Sequence, residues 1–383
     1  MKVKIGIDAS NIRMGGGVTH LSEILREVDL DAMNIERIIV WGSVGTLAVL
    51  PKRSAIELVH QKELDDCHFM RMLWQARCLP ALASRFCDVL FSPGAVPYFT
   101  QIPVPVVSMS QNMLPFQASE AGRYGISAMR LKLALLNRTQ AFSFARASGL
   151  IFLTEHARRE ILNSLQDKKL KLRRATVIPH GVSERFLRRP RTQLSINRYS
   201  KKNPFKLLYV STIAPYKHQW NVAEAIGMLR QKGIPLAIDF VGTGHGPSIK
   251  RLERAIRKWD ADRSYLFYRR FVPFADIYRF YHQADAFVFA SSCENQPNVL
   301  LEAMASGLPI ASSSWEPMRE TLDDAGHFFN PEDSLDIARS LEELIMRTSL
   351  RGELAGKAYE RARQCSWTKC AEETFVFLTQ SCQ

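Results

Sequence analysis

Short runs of β-branched and aromatic residues alternate with longer stretches of helical apolar spacing, and the alternation passes through the chain twice. No other feature limits the fold as strongly. Strands separated by helix-length segments cannot pair as hairpins and are expected to form parallel β-α-β units. Lys2–Asp8 reads as the first strand, followed by a loop holding Gly15, Gly16 and Gly17 and then by helical spacing at Val18, Leu21, Leu25 and Val28. Glu36–Trp41, Val89–Ser92, Val104–Ser108, Gly149–Leu153 and Ala175–Ile178 read as further strands. Residues 187–204 are poor in apolar residues and rich in polar and basic ones. Phe205–Ser211 then opens the series afresh. Leu236–Val241, Leu266–Tyr268, Ala286–Ala290 and Pro309–Ser312 follow as strands, with helices over Trp220–Leu229, Ser248–Trp259, Ile277–Gln283, Val299–Ala305, 335–347, 351–363 and 368–380. The pattern predicts an α/β protein of two Rossmann-like domains, one over 1–190 and one over 205–365, joined by a linker over 191–204. Ligands in such sheets bind at the carboxyl ends of the strands, so the expected site is the cleft between the domains.

Composition agrees with a folded, two-domain chain. Of the 383 residues, 46% are hydrophobic and 23% charged, which excludes a disordered or coiled-coil chain. No apolar run reaches ~18 residues, so no transmembrane helix is expected. The opening MKVKIGIDAS lacks the length and cleavage site of a signal peptide. Seven cysteines, an odd number without a C-x-x-C pair, argue against a disulfide framework or a zinc site and for a reducing cytoplasmic setting.

The net charge of +13 is uneven: residues 123–190 hold fifteen Lys and Arg against four acidic residues. Arg130, Lys132, Arg138 and Arg146 are interleaved with Met129, Leu131, Leu133, Leu135, Leu136, Phe142 and Phe144. This reads either as a surface helix with its apolar face in the core or as a basic amphipathic helix lying on an anionic membrane, with 123–174 as the contact region. Nucleic acid is disfavoured, because no zinc-finger, RNP or homeodomain-like signature accompanies the charge.

The most informative segment is Ser291-Ser292-Cys293-Glu294-Asn295-Gln296-Pro297-Asn298, running into Val299-Leu300-Leu301-Glu302. A buried strand enters a polar loop and then a helix that Asn298 is expected to cap and Gly307 to end. First-turn N–H groups and the helix dipole favour an anion such as a diphosphate. Glu294 and Glu302 are too far apart in angle for an acid/base pair and would contact different parts of one extended ligand. In the first loop of the second domain, Lys217 can neutralise a phosphate leaving group. Gly242-Thr243-Gly244-His245-Gly246 and Gly15-Gly16-Gly17 both lack dinucleotide spacing, which argues against an NAD-dependent oxidoreductase.

Taken together, these motifs resemble family 4 retaining glycosyltransferases of GT-B fold (glycosyl transferases group 1), in the form found in bacterial surface-polysaccharide enzymes. The resemblance is carried by Glu294 to Glu302 in SSCENQPNVLLEAMASGLPI, Lys217 in VSTIAPYKHQWNVAEA, VGTGHG, FVPFADIYRFYHQADAFVFAS, VIPHGVSERF and MGGGVTHLSEIL. It is strong over about 205–370 and weaker over about 1–190. It implies transfer of a sugar, with retention, from a UDP-, GDP- or TDP-linked donor to a saccharide or lipid-linked saccharide in cell-surface polysaccharide biosynthesis. The enzyme would be cytoplasmic or peripheral at the inner face of the membrane, without cofactor or metal. Ser366-Trp367 would open a last helix, 366–383, that packs back onto the first domain.

Roles carry over by position. Glu294 would hold the donor sugar and Lys217 the departing diphosphate. Backbone amides of Asn298, Val299 and Leu300 would bind the diphosphate, and Glu302 the ribose. Gly16 and Gly17 would let their loop approach the donor phosphate or acceptor. Thr212 stands where the family usually has an arginine, so His218 or the helix N-terminus would share the phosphate charge. Gln111-Asn112 stands where the family often has His-Asp, and Gln111 cannot shuttle a proton at neutral pH. His180 reads as a hinge packing residue or an acceptor-side group. Glu294→Ala is expected to abolish transfer and leave folding intact. These two replaced residues, Thr212 and Gln111, motivate the alternative reading: a non-catalytic nucleotide-sugar or nucleic-acid binding protein that keeps the fold.

Overall fold

The computed structural model describes residues 2–13, 15–94, 100–273 and 275–382. Met14 of the first glycine loop and Phe274 of the FVPFADIYRF segment lie outside the described residues. In chain order the first strands and helices are β1 (Val3–Asp8), α1 (Gly16–Glu27), β2 (Ile35–Gly42), β3 (Ile56–His60), α2 (His68–Arg77), α3 (Leu79–Phe86), β4 (Val89–Ser92), β5 (Val106–Met109), α4 (Ala128–Arg146), β6 (Gly149–Phe152), α5 (Glu155–Asp167) and β7 (Ala175–Val177). The series restarts with β8 (Phe205–Val210), α6 (Gln219–Gln231), β9 (Leu236–Val241), α7 (Gly246–Trp259), β10 (Leu266–Arg269), α8 (Ile277–Gln283), β11 (Ala286–Phe289) and α9 (Asn298–Ala305). It ends with β12 (Ile310–Ser313), β13 (His327–Phe329), α10 (Ser334–Met346), α11 (Thr348–Ala362) and α12 (Trp367–Gln380).

The chain divides into two compact units. One comprises Met1–Ala121, Ile126–Gly181 and Ser366–Gln383; the other comprises Gly122–Gly125 and Val182–Cys365. The first unit holds a seven-stranded sheet in the order β3-β2-β1-β4-β5-β6-β7, the second a six-stranded sheet in the order β10-β9-β8-β11-β12-β13. All the strand pairs are parallel. In each sheet the strand order reverses beside the opening strand, between β1 and β4 and between β8 and β11. Such a switch point splays the two following loops apart and leaves a crevice at the carboxyl edge.

Both faces of the first sheet are covered, so its strands are apolar almost throughout. On one face Ile5, Ile7, Leu21, Ile24 and Leu25 pack with Trp367, Phe375 and Leu378 of α12. On the other, Ile39, Trp41 and Leu90 pack with Trp74, Leu79 and Ala83. The edge strands β3 and β13 and the helix pair α2–α3 go beyond the sequence reading. Edge strands of three to five residues carry too little alternation to stand out.

The sequence places the boundary at 190 and a linker over 191–204; the chain crosses at Gly181/Val182, and 187–204 folds as part of the second unit. The Arg188 N–H donates to the Ala305 carbonyl, Ile196 joins the core, and the fully buried Arg351 donates to the carbonyls of Leu194, Leu344 and Ile345. A polar segment is thereby ordered through its backbone carbonyls, which apolar patterning does not report. No helix among the described residues is long and apolar enough to cross a membrane.

Candidate functional site

The second unit concentrates the polar chemistry at its switch point, where the loops after β8 and β11 face each other. Tyr209, near the end of β8, ties them together. Its hydroxyl donates to the Lys217 carbonyl and accepts the Ala290 N–H at 3.1 Å. A tyrosine inside a buried strand must find such partners, and that is the sequence signal by which it could have been found. The Ser292 N–H adds a second tie, to the Tyr216 carbonyl at 2.9 Å.

Held by these ties, the Lys217 ammonium forms an ion pair with Glu294. Their side chains are only 7% and 14% exposed. The ammonium also lies 5.1 Å from the Phe289 ring centroid and 5.3 Å from that of Tyr216, within cation–π range. Lys217 ends a 3₁₀ turn, and His218 after it takes a left-handed conformation with φ of 50° before α6 begins. The buried His218 ring meets the Ser292 hydroxyl at 2.9 Å. Burial, together with the nearby Arg123 guanidinium, pushes its pKa down to about 4, so it is neutral at pH 7. A neutral imidazole can hydrogen-bond a phosphate but adds no charge. Thr212 is exposed, and its carbonyl accepts from Gln219 at 3.0 Å.

The glycine loop after β9 braces Thr212 from the other side. Ile213 donates its N–H to Thr243 and accepts that of His245, both at 2.8 Å. A Cβ on Gly242, whose φ is 139°, would lie 2.1 Å from the Ser211 carbonyl oxygen, and one on Gly244 2.2 Å from that of Ile213. The sequence therefore needs glycine there for backbone contact rather than for dinucleotide binding. Gly242→Ala is expected to destabilise the unit by about 3 kcal/mol, through strain and overlap together, and to lower the melting temperature by roughly 6–10 °C in a thermal melt.

Glu302 lies in α9, 8% exposed, and accepts the Tyr281 hydroxyl at 2.8 Å. Burial raises its pKa to about 7, the Tyr281 hydrogen bond and Arg185 opposing. Tyr281 is the partner that the sequence reading missed. Asn298 is not the N-cap: Pro297 takes that place, in an extended conformation, and its carbonyl accepts Leu300 at 2.9 Å and Leu301 at 3.4 Å. Among the three expected amides, that of Leu300 is thus already engaged, while Asn298 and Val299 form the first turn of the helix. Glu294 sits four residues ahead of the helix. At the far end Gly307, with φ of 64°, donates to Met304 and Leu308 donates to Ala303, a Schellman ending that matches the expected stop.

The first unit repeats the layout on a smaller scale. Asp8 ends β1 and is buried; its carboxylate accepts Ser10 N–H at 3.0 Å, Gln75 at 2.6 Å and Ser92 at 3.3 Å. Burial raises its pKa against those hydrogen bonds. Beyond it, a Cβ on Gly17 would meet the Gln111 side-chain oxygen at 2.6 Å, so the structure brings these two expected residues together. Gly16 is exposed at the start of α1. The Asn112 side chain accepts the Leu114 N–H at 3.1 Å and shapes its own turn. His180 is buried with its ring 5.0 Å from His20 and 5.5 Å from Trp367. Among the described residues no group of three or more His, Cys, Asp or Glu is placed to hold a metal ion.

Residues 204–347 match the family described as Glycosyl transferases group 1. The serotype-specific mannosyltransferase WbdA of Escherichia coli is 25% identical over 250 residues, 63% of this chain and 30% of WbdA. The O-antigen chain mannosyltransferase B of Escherichia coli is 26% identical over 171 residues, 44% of each chain. The matches thus span less than half the length of these relatives. The crystal structure of Anabaena Alr3699/HepE in complex with UDP superposes with a TM-score of 0.67 at 17% identity, covering 99% of this chain and 100% of that one. The chain accordingly has the GT-B fold of two Rossmann-like units, and in sequence it is similar to group 1 glycosyltransferases of the bacterial surface-polysaccharide type.

Proposed function

We propose that the chain is a retaining glycosyltransferase of family 4 that moves a sugar from a nucleotide-sugar to a saccharide or lipid-linked saccharide acceptor in surface-polysaccharide assembly. The observation that carries this reading is the buried Lys217–Glu294 pair at the switch point of the second sheet, inside the stretch that matches the family. The mannosyltransferase activity named for WbdA supports the substrate class. The location proposed is the cytoplasm, at the inner face of the membrane.

Without a donor, Lys217 and Glu294 satisfy each other. A bound nucleotide-sugar would separate them by supplying better partners to both. The diphosphate takes the ammonium, and two adjacent sugar hydroxyls donate to the carboxylate. The first-turn amides of α9 face the diphosphate, and Glu302 accepts the ribose hydroxyls. As the bond from the anomeric carbon to the diphosphate oxygen breaks, the acceptor oxygen bonds to that carbon on the same face. The acceptor proton passes to the departing diphosphate oxygen. Gln111 is not called on as a base, and charge forming on the leaving group is met by Lys217 and the helix amides.

A thermal-shift screen with UDP, GDP, TDP and CMP tests the donor site. A ligand bound only by the native state stabilises it by about 2.7 kcal/mol at a hundredfold excess over Kd. One nucleotide should raise the melting temperature, and Glu302→Ala should remove the rise. A shift with no turnover of any nucleotide-sugar would favour the non-catalytic binding protein instead, a reading motivated by Thr212 at the usual arginine position.

A further inference from the structure

The helix α4 has two apolar sides, and only one of them is covered. Leu133 and Phe144 are buried against the first unit. Leu131 is 75% exposed and Leu135 62% exposed. At ~100° per residue, Leu131, Leu135 and Arg138 fall within an arc of about 60°, opposite Leu133, while Arg130 and Lys132 flank it at about 100° to either side. Every residue from Ala128 to Lys132 is exposed, as is Ile126 just before the helix. No Asp or Glu occurs between residues 121 and 154.

We infer that the first half of α4 is a docking surface for an anionic lipid bilayer. Leu131, Leu135 and Ile126 would enter the headgroup boundary, and Arg130, Lys132 and Arg138 would meet lipid phosphates. Outward aliphatic side chains between flanking cations are the geometry of a helix that lies in a membrane interface. A soluble partner of ordinary surface composition would leave these cations unpaired, whereas a sheet of phosphates answers all of them. The surface is narrower than 123–174 as a whole, because α5 turns Ala157, Ile161 and Leu165 into the core. The inference needs no sugar transfer to be true, and its test needs no donor.

The test is co-sedimentation of the full chain with vesicles of phosphatidylcholine alone or mixed three to one with phosphatidylglycerol. Binding to the mixed vesicles should exceed binding to the neutral ones by at least about tenfold at low salt and fall as salt rises. The double variant Leu131→Ser with Leu135→Ser should lose about tenfold of it. Lys132→Glu should act in the same direction, with melting temperature unchanged in both variants. Equal binding to both vesicle types, or undiminished binding by the variants, would overturn the inference. So would a wild-type dimer that the double variant dissociates, since the occupant would then be a second copy of the chain.

Discussion

Replacing Glu294 by glutamine should lower kcat/KM for sugar transfer by about a thousandfold, or ~4 kcal/mol of transition-state stabilisation, with a smaller loss of melting temperature than alanine causes. The distinction from alanine comes from the structure. Glu294 is the partner of a lysine that is itself only 6% exposed. Glutamine also removes the counter-charge but keeps an oxygen acceptor for the Lys217 ammonium, whereas alanine leaves the buried charge with neither, at a cost of ~3–5 kcal/mol. Much of a typical native stability would be lost that way. The ion pair therefore replaces the sequence-based expectation that Glu294→Ala leaves folding intact with the expectation of a destabilised variant. Replacing both partners, Lys217→Met with Glu294→Ala, should restore the melting temperature but no activity. Initial rates and thermal melts on the three variants decide the matter. A glutamine variant with wild-type turnover would remove Glu294 from the chemistry.

Glu302→Gln should make the nucleotide-free protein more stable at pH 8 by about 3 kcal/mol, and change it little at pH 5. The sign follows from where the proton sits. The ordinary carboxyl value is 4.5, and burial raises that of folded Glu302 to about 7. Between these values the folded chain holds a proton that the unfolded chain has released, so stability falls as pH rises through the window. Above pH 7 the whole penalty is present, at ~1.4 kcal/mol for each unit of displacement. Glutamine carries no such penalty and still accepts the Tyr281 hydroxyl. Nucleotide affinity should fall in the same variant, because a carboxylate is the better acceptor for two ribose hydroxyls. Urea melts at the two pH values measure the difference. An equal change at both, or a loss at pH 8, would show that Glu302 is not held against its charge.

Much of the site was open to reading along the chain. Lys217, Glu294 and Glu302 lie in loops and a helix start set by local patterns, and the strand-then-loop rhythm locates those segments at one edge of a sheet. The partners were not open to reading, because they come from elsewhere. Tyr209 reaches across the switch point to both loops, Tyr281 reaches Glu302 from another helix, and Gln75 and Ser92 converge on Asp8. Apart from the hydroxyl that Tyr209 carries into a buried strand, nothing in their local sequence marks them.

The basic stretch shows the same division. Its charge is a count along the chain, but whether a leucine between two cations faces core or solvent depends on how α4 is rotated against its neighbours. Leu133 and Leu131, two residues apart, end on opposite sides. By itself the sequence determined the two α/β sheets, the order of most of their elements, the glycines at loops and helix ends, and the positions of the ionisable residues, all consequences of period, propensity and local backbone geometry. Only the tertiary structure decided that residues 187–204 fold with the second unit, that Lys217 and Glu294 neutralise each other, that Glu302 is buried near its own titration point, and that α4 leaves an apolar side uncovered. Those outcomes rest on contacts between distant segments and on exclusion of water, which local sequence does not encode.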